Sequence, residues 1–166
     1  MITKPRKVMN LPNEVLMPFM IERLESKPGM TATLPLRGRS MRPFLEDGRD
    51  KALFIAAKGA EIRVGDPVLA LLSDTRYVMH RIVRIDGENV TLMGDGNLTY
   101  EYCTLQDIKA KAIGFFRKGR ETLDSVEGRK WRLYSWLWTR LLPIRRYLLF
   151  LWHPHIPARW KKEEEK

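Results

Sequence analysis

Two side chains in this sequence have the chemistry of a nucleophile and a base. Ser40 sits in Gly38-Arg39-Ser40-Met41-Arg42-Pro43, at the end of an apolar run. His80 follows forty residues later, within Tyr77-Val78-Met79-His80-Arg81-Ile82. A serine hydroxyl attacks a carbonyl once a base removes its proton, and N–H donors must await the oxyanion that forms. A near-neutral imidazole can be that base if an acceptor orients its other nitrogen. Asp95 and Glu101 lie 15 and 21 residues beyond His80, in a region that a hairpin return would bring alongside it. Gly38 lacks a side chain and so allows close approach of a substrate carbonyl. Pro43 stiffens the exit, while Met41 and Phe44 can anchor the loop in a core. The plainer alternatives are a turn-forming serine and a hydrogen-bonded core histidine. The remaining histidines, His153 and His155, flank a proline without the spacing of a zinc motif. Neither a metal nor a cofactor is expected.

Positioning these groups falls to a β-rich region. Between residues 31 and 118 the sequence runs in short apolar or alternating segments: TATLPL, KALFIAA, PVLALL, YVMHRIVRI, NVTLMG and KAIGFFR. Turn residues separate them, and Asp86-Gly87 between two alternating runs predicts a tight hairpin. Six strands with no room for crossover helices predict a mainly β fold, an antiparallel folded sheet or barrel. Ahead of it, residues 13–26 predict a short helix with Asn13 as cap and Leu16, Phe19, Met20 and Leu24 on one face. Pro18 makes its first turn uncertain. The expected division is 1–30 for that helix and turn, 31–120 for the β domain, and 129–160 for a C-terminal helical appendage.

The chain of 166 residues carries a net charge of +10, and the excess is uneven. No acidic residue falls between Glu127 and Glu163, a stretch that holds all five tryptophans and nine of the Lys and Arg residues. Leu133, Trp136, Leu137, Arg140 and Leu141, then Tyr147, Leu148, Leu151 and Trp152, suit one or two amphipathic helices broken at Pro143. Tryptophan with arginine is what an interfacial membrane segment uses, so residues 129–160 are a candidate membrane-surface element. The alternatives are packing on the sheet or on a partner. Nucleic acid is a weaker third reading, since no recognition motif accompanies the basic and aromatic residues. One cysteine, Cys103, precludes an internal disulfide. The apolar run VLMPFMI (15–21) is broken by Pro18 and lacks a cleavage site, and no run of 18 uncharged apolar residues occurs. A cytoplasmic placement is expected, peripheral at the inner membrane surface. The oligomeric state is open.

Four motifs in order carry a family resemblance. Gly38-x-Ser40-Met41-x-Pro43-x-x-x-x-Gly48, Val64-Gly65-Asp66-x-Val68, Tyr77-Val78-x-His80-Arg81 and Gly94-Asp95-x-Asn97 resemble the signal peptidase I and LexA-type serine peptidase clan across residues 32–117. The resemblance implies a peptidase sheet with Ser40 as nucleophile, His80 as general base and the Ser40 N–H as oxyanion donor. The loop residues Gly38, Arg39, Met41 and Pro43 would line the oxyanion or substrate side. Leader peptidases of the bacterial type and SOS repressors use a lysine base. The histidine here is similar to the signal peptidases of the endoplasmic reticulum, archaea and some spore formers. The acid is Asp95, at the motif aspartate, or Glu101, near the later aspartate of the eukaryotic enzymes. Asp95 ranks first because its shorter side chain has less freedom. The expected activity is endoproteolysis of a leader or precursor peptide through an acyl-enzyme. The competing expectation is a non-catalytic, membrane- or partner-binding module that kept the fold. An SOS-type self-cleaving regulator is disfavoured, because only 39 residues precede Ser40 and the lysine is missing. Two departures from typical signal peptidases stand out: no N-terminal anchor is expected, and the aromatic, basic C-terminal region is added. Gly38 also lacks the hydroxyl that many leader peptidases carry two residues before the nucleophile.

Overall fold

The computed structural model describes residues 13–152. Eight strands form one antiparallel sheet: β1 (Ala32–Pro35), β2 (Lys51–Ala56), β3 (Pro67–Leu71), β4 (Tyr77–Asp86), β5 (Asn89–Met93), β6 (Glu101–Thr104), β7 (Ile108–Phe116) and β8 (Leu123–Ser125). Their order is β1-β2-β7-β3-β4-β5-β6, with β8 also on β7. The mainly β expectation therefore holds, as a folded sheet with edges at β1 and β6. Two short strands, β6 and β8, of four and three residues, were not anticipated from the sequence.

Hairpin chemistry starts the β4–β5 ladder, and a one-residue shift at Ile82/Arg84 sets its register at His80 and Arg81. Asp86 pairs with Asn89 around Gly87, whose φ of 59° is the left-handed value that a tight turn requires. From that turn the ladder runs back through Ile85–Val90 and Ile82–Leu92 to Arg81–Met93. Register shifts at Leu53/Phe54, Leu69/Ala70 and Ile82/Arg84 mark irregularities of the bulge kind, which bend strands and let a sheet fold over its own core.

One core lies between the sheet and the helices. Phe54, Leu69, Ala110, Ala112 and Phe115 of the sheet meet Met20 and Leu24 of α1 (Asn13–Glu25) and Trp131 of α2 (Arg129–Arg140). A second cluster, Val68, Ala70, Ile82, Val90, Leu92 and Ile108, fills the fold of the sheet around β3, β4 and β5. Helix α1 corrects one expectation: Phe19 is exposed, and the stripe on the core is Met20 and Leu24, buried, with Met17 and Ile21 partly buried beside them. The two stripes overlap at Met20 and Leu24, so helical spacing alone does not choose between them. The C-terminal region is helical as expected, with α2, a 3-10 turn over Leu142–Ile144 around Pro143, and α3 (Arg145–Trp152). Residues 153–160 of the appendage, with His153 and His155, lie outside the described residues.

The appendage shares the core of the β domain. Trp131 packs with ring centroids 4.6 Å from Phe44 and 4.8 Å from Phe115, and Tyr134 stacks on Phe44 at 4.5 Å. Aromatic pairs of this kind each contribute about 0.5–1.5 kcal/mol beyond their buried area. Phe44 belongs to the Ser40 loop, so α2 is tied directly to the segment that carries the candidate nucleophile.

Candidate active site

Ser40 lies in the loop that leaves the edge strand β1. The turn is closed by Arg42 N–H donating to the Arg39 carbonyl (3.1 Å) and Leu45 N–H to the Met41 carbonyl (3.0 Å). Met41, Phe44 and Leu45 are buried, the anchoring role read for the first two from the sequence. Downstream, the buried Asp50 carboxylate accepts the N–H groups of Glu46 and Lys118, both at 2.9 Å, and pairs with Arg49. Burial works against its charge, yet Arg49 and these amides outweigh that and hold its carboxyl below the usual range. The loop is thus held at both ends, with Ser40 half-buried between them. Gly38, Arg39 and Pro43 are on its surface, Pro43 less exposed than the others. Gly38 has a φ of 87°, and a Cβ placed on it would meet nothing within 4 Å. The space beside it is therefore open to an incoming chain.

Two glycines bring this loop to the end of β5. Gly96 N–H donates to the Ser40 carbonyl at 2.7 Å. A Cβ on Gly94 would fall 2.5 Å from the same oxygen, and one on Gly96 would fall 2.9 Å from the Arg39 carbonyl. Side chains at either position would push the serine loop away. Continuing the Arg81–Met93 register by one residue sets Gly94 level with His80, so the Ser40 backbone docks beside the histidine strand.

His80 is 4% exposed, and its Nδ1 is hydrogen-bonded to the Glu101 carboxylate. Glu101 reaches it from β6, the edge strand on the far side of β5, and its Oε1 also lies 3.9 Å from Arg76. With Nδ1 occupied, Nε2 is the nitrogen left for chemistry, and among the described residues it has no hydrogen-bond partner. Among the described residues no hydrogen bond joins Ser40 Oγ to the ring, and none uses the Ser40 N–H. Such catalytic bonds are commonly long before substrate binds.

Asp95 goes elsewhere, which corrects its ranking as first choice for the acid. It is fully buried and forms a bidentate pair with Arg81, Nε to Oδ1 at 2.8 Å and Nη2 to Oδ2 at 2.6 Å. The reason is strand geometry. Consecutive residues of β4 point to opposite faces, so Arg81 faces away from His80, and Asp95 follows Gly94 onto Arg81's side. Of the two candidate carboxylates, only Glu101 touches the imidazole.

The Arg81–Asp95 pair is the centre of a network that the sequence reading missed. Arg81 Nη1 donates to the Gly65 carbonyl (2.9 Å) and to Ser135 Oγ (2.8 Å), and Ser135 in turn donates to Gly65 (3.0 Å). The Tyr134 hydroxyl donates to Asp95 Oδ2 at 3.1 Å, and Trp138 Nε1 to the Asp95 carbonyl at 3.0 Å. Arg145 donates to the Gly94 carbonyl at 3.3 Å. Burial and the Asp95 charge push the Tyr134 phenol well above its ordinary range, so it stays a donor. Tyr134, Trp138 and Arg145 therefore hold the Gly94–Asn97 turn, against which Ser40 rests, and Ser135 braces it through Arg81. The available signal was the spacing of Trp131, Ser135 and Trp138 at i, i+4, i+7.

Among the described residues, no three His, Cys, Asp or Glu side chains are arranged to hold a metal ion. Cys103, the chain's one thiol, is half-buried on β6, and its pKa is pushed up to about 11, chiefly by burial and then by Asp107 and Glu101. A raised acid pKa favours the protonated form, so near neutrality Cys103 holds about a hundredfold less thiolate than an ordinary cysteine. Iodoacetamide should therefore alkylate it slowly, with Cys103→Ala as active as the parent; rapid alkylation with loss of activity would contradict this. No family model matches this chain, and no curated protein is significantly similar to it.

Proposed function

We propose that the protein is a serine endopeptidase that cleaves a leader or precursor peptide, with Ser40 as nucleophile, His80 as base and Glu101 as the group that orients His80. The observation that carries this reading is the Glu101–His80 pair beside a serine loop that two glycines allow to dock there. A buried histidine held at Nδ1 by a carboxylate has the arrangement that a general base acting through Nε2 requires.

In the proposed cycle Ser40 Oγ adds to the scissile carbonyl carbon as its proton passes to His80 Nε2. The oxyanion takes the free Ser40 N–H, and the carboxylate of Glu101 stabilises the imidazolium. His80 then protonates the departing amine as the C–N bond breaks, which leaves Ser40 esterified. A water gives its proton to Nε2 and adds to the ester. Loss of the Ser40 oxygen, which takes the proton back, frees the carboxylic acid. With Gly38 bearing no hydroxyl, oxyanion stabilisation rests on backbone N–H groups.

The missing Ser40–His80 hydrogen bond favours a second reading, a binding module that kept the geometry without the chemistry. Cleavage profiling with a diverse peptide library separates the two. The peptidase reading predicts discrete internal cuts; intact peptides at high enzyme concentration would favour the module. Among the described residues no helix is long and apolar enough to cross a membrane. A peripheral, cytoplasmic position belongs to the proposal.

A further inference from the structure

The outer face of the C-terminal helices is unlike the rest of the surface. Among the described residues, seven of the fourteen exposed large apolar side chains fall between Leu133 and Leu151. Leu133, Trp136 and Leu137 share one side of α2, and Tyr147, Phe150 and Leu151 continue along α3; all are between 45% and 75% exposed. The opposite side of the same helices is committed to the protein through Trp131, Tyr134, Ser135, Trp138, Arg145 and Leu149, so the outward face is not a misplaced core. Arg132, Arg140 and Arg146 are exposed among the apolar groups, and the Arg140 guanidinium lies 4.8 Å from the Trp136 ring centre. No carboxylate occurs anywhere in α2 or α3.

We propose that this face docks on an anionic lipid bilayer, lying in the plane of the interface. Charge complementarity selects that occupant. A protein partner of ordinary composition would match the apolar groups, but a face with several arginines and no acid is suited to phosphate headgroups, with leucine and aromatic side chains below them. Helices of 12 and 8 residues are too short to span a bilayer and suit an in-plane position. The face also continues toward the candidate site. A groove of about 270 Å³ between the appendage and the end of β5 is lined by Leu98, Tyr100, Pro143, Arg146 and Tyr147, and Tyr100 directly precedes Glu101. Docking would hold the Ser40–His80 region next to the membrane surface, where a membrane-borne substrate would be presented. The lipid proposal itself does not depend on Ser40 being a nucleophile.

Flotation of the full chain with phosphatidylcholine vesicles, with and without phosphatidylglycerol, tests it. The chain should rise with the anionic vesicles and should bind neutral ones, or anionic ones in high salt, about tenfold less. Leu133→Glu/Trp136→Glu/Phe150→Glu changes only exposed side chains. It should keep the parent's thermal transition and lose flotation, and Arg140→Glu/Arg146→Glu should weaken flotation by about tenfold if the triple variant fails to fold. Unchanged flotation in the variant that folds would overturn the proposal. So would a parent that stays at the bottom of the gradient, or a dimer by light scattering that the same substitutions dissolve. Measuring vesicle binding with Ser40→Ala keeps this outcome apart from that of the peptidase reading.

Discussion

Replacing Ser40 by alanine is expected to lower kcat/KM for peptide cleavage by about 10⁴-fold or more, with no change in the unfolding transition. The effect is large because the proposed route has no second nucleophile: Cys103 is held as the neutral thiol, and His80 serves as the base. The fold should be indifferent, because what secures the loop is the Ser40 carbonyl on Gly96 and the burial of Met41, Phe44 and Leu45. All of these survive the substitution. His80→Ala should cost as much activity, since groups that act as a unit are not additive. The Ser40→Ala/His80→Ala double variant should be no slower than either single one. Stopped assays at high enzyme concentration measure these values, and retention of even a tenth of the parental rate in either single variant would defeat the assignment.

The two carboxylates near His80 should separate activity from stability. Glu101→Gln leaves a partly exposed position filled and should change stability by no more than about 1 kcal/mol. It should nevertheless slow turnover by roughly a thousandfold, because the imidazole loses the anion that fixes its tautomer and stabilises its charged form. Asp95→Ala should behave in the opposite sense. It strands the Arg81 guanidinium, fully buried, without its counter-ion, and removes the acceptor of Tyr134. Breaking a buried pair from one side costs about 3–5 kcal/mol, which should appear as a lower midpoint in urea. Any Asp95→Ala protein still folded should retain much of its turnover, because Asp95 does not touch the imidazole. If Asp95→Ala is stable but inactive, and Glu101→Gln active, the carboxylates have been assigned in the wrong order.

How far the sequence carried is best seen at particular residues. Six strands, the four-residue β1 among them, were legible because alternation and turn residues coincide, and Asp86-Gly87 marked the β4–β5 hairpin. That hairpin alone would have kept Asp95, because its uninterrupted register sets Asp95 opposite His80; the shift at Ile82/Arg84, which leaves no mark in the sequence, brings Gly94 there instead and moves Asp95 to the arginine's side. The four-residue β6 left no periodic trace, so Glu101 lacked a predicted strand to carry it. In α2 both faces bear large apolar residues at helical spacing. Periodicity alone could not choose between the Trp131–Trp138 side, which is buried, and the Leu133–Leu137 side, which is exposed. What decided it was polar chemistry: Tyr134 and Ser135 find their partners at the Arg81–Asp95 pair and the adjoining Gly65 carbonyl. Gly94 and Gly96 read as turn punctuation in the sequence, whereas their structural work is to admit the serine loop.

Labelling with a fluorophosphonate, followed by peptide mass mapping, asks whether Ser40 is a nucleophile activated by His80. One phosphonyl adduct per chain is expected, on Ser40, absent from Ser40→Ala and from His80→Ala. An adduct on another residue, or a Ser40 that stays unlabelled under forcing reagent while the protein is folded, would contradict it.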